Sequence, residues 1–178
     1  MKPNSLQQLY IEQIRDLYDA EQQIIKALPE MIEAATSSQL KQALTEHLEV
    51  TKVQATRLDN IFTRLGEKAK GEKCDGMKGV LDEGSDLVDD IDDPDVRDAA
   101  IIASAQRVEH YEMAGYGTAR TFATLLGQNE ASRELQQTLD EEKEADQKLN
   151  GLAEKINVNA TAGKSATGEG RDRSQKIA

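Results

Sequence analysis

The chain has 178 residues, enough for one domain, and a formal net charge of −11. That charge excludes nonspecific binding of DNA or RNA, which needs a basic footprint. Aromatic residues at 3% and only 3 prolines exclude an all-β fold built on aromatic-rich strands. The single Cys74 leaves no internal disulfide, which fits a reducing compartment. Residues 1–5 lead directly into an amphipathic pattern with no long apolar run. No signal peptide and no membrane span are therefore predicted, and the cytoplasm is the expected location.

Four long segments carry helical periodicity. The first is predicted over 6–35, opened by Ser5 as N-cap, with Tyr10, Leu17, Ile24 and Met31 in steps of seven beside Ile14 and Leu28. The Thr36-Ser37-Ser38 break is short enough to make the next helix an antiparallel neighbour. That second helix is predicted over 39–65, with Leu44, Leu48, Thr51, Ala55, Leu58 and Phe62 on one face and Gly66 as C-cap. A polar loop over 67–74 follows, and then a short helix carrying Met77, Val80, Leu81, Leu87 and Val88, with Gly84 as a candidate break. Pro94 marks the turn into a third long helix over 96–126, closed by Gly127, and a fourth is predicted over 131–156. Residues 158–178 are nearly devoid of apolar side chains and read as a disordered tail.

The expected fold is all-α: a four-helix bundle over residues 1–157, made of two antiparallel hairpins. A crossover of about 30 residues joins them and carries the short fifth helix, the connection that ferritin-like bundles use.

On a wheel of 100° per residue, acids fall on the apolar stripes. Glu21 lies between Ile14 and Leu28; Glu109 lies with Ile102, Tyr116 and Ala123; Glu112 lies with Ala105, Ala119 and Leu126. Glu142 lies with Leu135 and Leu149, and Asp146 with Leu139 and Ala153. No Lys or Arg occupies the middle of these stripes. Buried carboxylates must be neutralised, paired or metal-bound, and their mutual repulsion raises the cost further. A multivalent cation relieves both.

The second helix is the odd member. Its Glu46 and Glu49 point away from the apolar face, whereas His47, Thr51 and Gln54 lie on or beside it. Gln54 is expected to supply a neutral oxygen, and His47 a nitrogen or a supporting contact. The predicted metal ligands are thus Glu21, Gln54, Glu109, Glu112, Glu142 and Asp146, with His47 and Tyr116 beside them.

Several stretches carry a family resemblance: Leu17-Tyr18-Asp19-Ala20-Glu21, His47-Leu48-Glu49, Val96-Arg97-Asp98-Ala99-Ala100, and Thr138-Leu139-Asp140-Glu141-Glu142-Lys143. The most specific is Gln106-Arg107-Val108-Glu109-His110-Tyr111-Glu112 followed by Tyr116-Gly117-Thr118. At these residues, and over roughly 5–157, the chain resembles the bacterial YciE/YciF stress-protein family, which is ferritin-like and related in fold to rubrerythrin. The resemblance implies a cytoplasmic, homodimeric protein of the osmotic or general stress response. The wider ferritin-like group implies iron or manganese at a carboxylate site acting on O2 or peroxide. Glu109-x-x-Glu112 is similar to the paired acids of the third rubrerythrin helix, and Glu142 with Asp146 to a variant of the fourth-helix pair. The Glu-x-x-His usual in such bundles is missing from the second and fourth segments, which suggests one tightly held metal and one labile one.

Three functions fit these residues: redox chemistry on peroxide or O2, metal holding without turnover, and a structural role in which the buried acids specify helix register.

Overall fold

The computed structural model describes residues 3–161, and among these every regular element is a helix: α1 (Leu6–Ala34), α2 (Ser38–Leu65), α3 (Asp75–Asp89), α4 (Pro94–Leu125) and α5 (Asn129–Thr161). None of them is long and apolar enough to cross a membrane.

The helix starts follow local chemistry. Ser5 Oγ accepts from Gln8 N at 3.2 Å, and Ser37 Oγ accepts from Leu40 N at 3.3 Å. Asp93 Oδ1 accepts from Asp95 N and Val96 N at 3.0 and 3.2 Å, with Pro94 in the first helical position, where its missing N–H costs nothing. The third long helix therefore begins at the proline, two residues before the predicted start. Gly66 ends α2 in the left-handed conformation, φ 68°, which a Cβ would penalise.

Two corrections concern the short helix and the last one. Gly84 does not break α3; it lets α3 approach α4, since a Cβ there would stand 3.0 Å from Ser104 Cβ. And α5 continues to Thr161, past the predicted boundary at Asn157; the remainder of the predicted tail, 162–178, lies outside the described residues.

The order of the core explains the long crossover. One apolar cluster joins the C-terminal half of α1 (Ile24, Leu28), the start of α2 (Leu40, Leu44), α3 (Met77, Val88), the start of α4 (Ile101, Ile102) and the end of α5 (Leu149, Ile156). The other joins Tyr10, Ile14 and Leu17 of α1 with Leu58, Ile61 and Phe62 of α2, Tyr116 and Ala119 of α4, and Leu135 and Leu139 of α5. Consecutive helices α1 and α2 are thus antiparallel, as are α4 and α5, while α2 and α4 run the same way. After α2 the chain must return the length of the bundle, and the loop plus α3 makes that return.

The turn between α1 and α2 is tied to the start of α4 by one buried carboxylate. Asp98, 2% exposed, accepts from the backbone N–H of Thr36 and Ser37, both at 2.7 Å, and from the Thr36 hydroxyl at 2.8 Å. Asp98→Ala removes all three bonds and orphans two backbone donors. The expected loss is on the order of 3 kcal/mol of stability, read as a lowered urea midpoint with an unchanged slope. A midpoint equal to that of the wild type would show that water replaces the carboxylate at no cost.

Candidate metal centre

Between the two apolar clusters lies a polar layer. Each long helix contributes one turn to it, flanked on both sides by core residues: Glu21 between Leu17 and Ile24, Thr51 and Gln54 between Leu44 and Leu58, Glu142 between Leu139 and Leu149. On α4 the pair Glu109 and Glu112, one helical turn apart, faces the same side as Tyr116. Glu21, Gln54, Glu109, Glu112 and Glu142 are each at most 2% exposed.

One ligand-type atom from each of His47, Glu109, Glu112 and Glu142 lies within 4.8 Å of the others, close enough to converge on one small ion. Glu21 adjoins Glu112, and its Oε1 accepts the Tyr116 hydroxyl. The Gln54 amide donates to Glu142 Oε1 and, at 3.3 Å, to Glu141 Oε2. The Gln54 carbonyl oxygen, expected as a ligand, has no partner and stays free to accept or to bind.

The electrostatics follow from burial. The carboxyls of Glu21, Glu109 and Glu112 are held well above the usual range, first by removal from water. The negative charge of Glu142 adds to this for Glu21 and Glu109, and that of Glu21 for Glu112. Glu142 rises to about 7, again chiefly through burial, and Glu109 beside it is positioned to share a proton with it. His47 moves the other way, down to about 4, because burial disfavours the imidazolium and Lys148 adds positive charge nearby. Its contact with Glu109, Nε2 to Oε1 at 3.4 Å, is therefore between a neutral ring and a carboxyl group, and it lacks hydrogen-bond geometry.

Six buried polar atoms of the layer have no hydrogen-bond partner: Glu21 Oε2, His47 Nε2, Gln54 Oε1, Glu109 Oε2, Glu112 Oε1 and Glu142 Oε2. A native interior leaves only a few such atoms per hundred residues, and here six belong to the side chains of one polar layer. Among the described residues no cationic side chain hydrogen-bonds to them. Arg57 acts on Glu21 and Glu142 only through its charge, because its own bonds go to Glu141 (Nη2 to Oε1, 2.7 Å) and to the Thr138 hydroxyl at 3.1 Å. The donor set of carboxylate oxygens with one imidazole nitrogen fits a divalent metal ion.

Other residues singled out in the sequence fall at the edges. Asp146 is 16% exposed and turns to the α4–α5 seam, accepting from Gln106 at 3.3 Å and Asn150 at 3.1 Å, with His110 Nε2 at 3.5 Å. Glu49 is exposed and pairs with Lys52 at 2.6 Å, so Gln54 and His47, and not Glu49, are the α2 side chains that reach the acids. His47 stands closer to the acids than a supporting contact requires. The signal was its place on the stripe His47, Thr51, Gln54, where the Thr51 hydroxyl donates to the His47 carbonyl at 2.9 Å. Cys74, an ordinary apolar residue by its sequence, is buried and caps α3, with Sγ 3.0 Å from the Tyr111 hydroxyl.

Fold and site together define a helical bundle with one long crossover and a buried carboxylate–imidazole cluster able to hold a metal. Residues 5–162 match the family described as "Domain of unknown function (DUF892)", and the chain belongs to that family. It is 40% identical over 154 residues to Protein YciF of Escherichia coli (strain K12), covering 86% of this chain and 93% of that protein. The crystal structure of the E. coli stress protein YciF superposes with a TM-score of 0.83 at 38% identity, covering 91% of this chain and 100% of that one. YcfI of Rhodopseudomonas palustris gives 0.82 at 47% identity over 84% of this chain and 95% of that one. A Xanthomonas campestris protein at 18% identity and a TM-score of 0.70 shares the fold, over 89% of this chain and 97% of that one.

The acids make the metal-free protein sensitive to pH. A carboxyl whose folded pKa is raised binds its proton more tightly in the native state than in the unfolded chain, where it titrates near 4.5. Stability is then greatest at low pH and is lost as pH rises through the folded pKa. His47 acts oppositely, but only below its unfolded value of 6.5. Between about pH 6.5 and 8 the acids act alone, and urea unfolding of metal-free protein should show stability falling by on the order of 1 kcal/mol per pH unit for each excess proton. Stability that is flat or rising across this window would contradict the shared-proton picture.

Proposed function

We propose that this chain is a ferritin-like stress-response protein that binds iron or manganese, one or two ions, in the polar layer and uses the bound metal on peroxide or O2. The observation that carries this reading is that His47, Glu109, Glu112 and Glu142 bring ligand atoms within 4.8 Å of one another, in a layer where six buried polar atoms lack a partner. Glu109, Glu112, Glu142 and His47 would hold the tighter ion, with Glu21 and Gln54 beside it and Asp146 at the outer edge. The metal would supply one-electron chemistry and an open coordination position for an oxygen species. The chain's own residues hold protons: Tyr116 donates to Glu21, and Gln54 orients Glu142. The name of the E. coli relative, a stress protein, supports the stress assignment, and the family resemblance supports cytoplasmic location and two-fold pairing. Metal holding without turnover is the second reading, favoured by how completely the acids are buried.

Metal-free wild type titrated with Fe2+ without oxygen, or with Mn2+, should saturate at one or two equivalents, with a rise in Tm. Glu109→Gln should weaken that binding at least about tenfold while raising metal-free stability, because an amide needs no added proton to be neutral in this layer. Loss of metal-free stability would mark Glu109 as an ordinary hydrogen-bonded core acid. Wild type loaded with iron or manganese should consume hydrogen peroxide or O2, and the variant should lose that rate. Binding without consumption leaves the holding role, and no binding of either ion removes both.

A further inference from the structure

Next to the polar layer, on the side of the first apolar cluster, the bundle is hollow. A cavity of about 280 Å³ runs between α1, α2, α4 and α5 and is floored by α3. Its walls are Ile24, Leu28, Leu44, Ile101, Val108 and Leu149. Helical cores ordinarily pack with few voids larger than a water molecule, so a space of this size is not a packing accident. It arises because small residues face one another across it: Ala43 on α2, Gly84 on α3, Ser104 and Ala105 on α4, and Ala145 on α5.

Inside its charged rim, to which Glu141 also belongs, the cavity carries polar side chains at two places. At its inner end are His47 and Glu109, whose atoms Nε2 and Oε2 lack partners; on one wall is the Ser104 hydroxyl, also unpartnered. The mouth lies between α2 and α5, where exposed Glu46, Glu144 and Lys148 ring the opening. Lys148 and Glu46 form an ion pair across it, but both are about half exposed, and such a pair holds helices together only weakly.

We propose that this cavity binds a medium-chain aliphatic molecule with a single oxygen-bearing head, the chain lying between α1, α2 and α4 and the head at His47 and Glu109. At about 30 Å³ per small heavy-atom group, the volume accommodates roughly nine or ten such groups, the size of an eight-carbon chain with its head. The apolar walls take the chain, and the unpartnered atoms at the inner end take the oxygen. As a substrate class for the metal this rests on the function proposed above; as a binding site it stands without it.

The test uses 1-octanol and n-octane as probes, with the full-length, metal-free protein and calorimetry or ligand-observed NMR. Saturable one-to-one binding of 1-octanol is expected, at least tenfold tighter than n-octane. Ala105→Phe and, independently from α5, Ala145→Leu fill the cavity while leaving every candidate metal ligand in place. Each should weaken octanol at least tenfold while leaving Mn2+ or Fe2+ affinity unchanged. Absence of saturable binding, equal affinity for octane, or octanol affinity unmoved by both folded variants overturns the proposal. Octanol binding in a protein that takes up neither metal overturns only the metal reading, and metal uptake without octanol binding overturns only this one.

Discussion

The mutual repulsion of Glu21, Glu109, Glu112 and Glu142, each buried at the midpoint of the bundle, is the constraint on which the remaining structure depends. Such a group of acids cannot be fully ionised in an interior of low dielectric; protons or a cation must accompany them. The two apolar clusters on either side supply the stability that holds them there; both draw on all four long helices, one with α3 added and the other with the buried aromatics Tyr10, Phe62 and Tyr116. The polar layer is therefore a destabilising feature that the rest of the chain is built to tolerate, which is what a functional site looks like energetically.

The layer is asymmetric. Helix α2 brings an imidazole and an amide where α1, α4 and α5 bring carboxylates. The neutral His47 and the Gln54 amide lower the charge that the metal-free site must neutralise, and Gln54 gives Glu142 a donor that leaves the ion-facing oxygen free. Arg57 offsets part of the charge of Glu21 and Glu142 from a distance, while its hydrogen bonds go to Glu141 and Thr138.

Much of the fold was legible because it rests on local rules. Ser5 and Gly66 bound their helices as their types predict, and the short link at Thr36 forced an antiparallel pair. The acids Glu21, Glu109, Glu112 and Glu142 could be found because seven-residue periodicity places them among Leu and Ile, where a solvated acid has no reason to be. The rest depends on tertiary choices that periodicity does not encode. Wheel angle sets Asp146 on the core stripe, but Gln106 and Asn150 offer it partners at the α4–α5 seam. Gly84 is a breaker by propensity and becomes a contact point only because Ser104 stands opposite. The periodic apolar stripe of α5 ends at Ile156, yet the helix continues without a buried face through Thr161, with Val158 exposed. The cavity could not be read at all, since it needs small residues of different helices to meet at one level.

Proton release on metal binding tests the central claim most directly. If the buried acids share protons in the metal-free protein, an incoming ion must displace them, and uptake of Mn2+ or Fe2+ at about pH 7 should release more than one proton per ion bound. Calorimetry in two buffers of different ionisation enthalpy counts them. Release of more than one proton, diminishing as pH is raised to about 8.5, is the predicted result. Tight binding with no proton released would mean that the four glutamates are already ionised without the metal, and would contradict the claim that their repulsion governs the site.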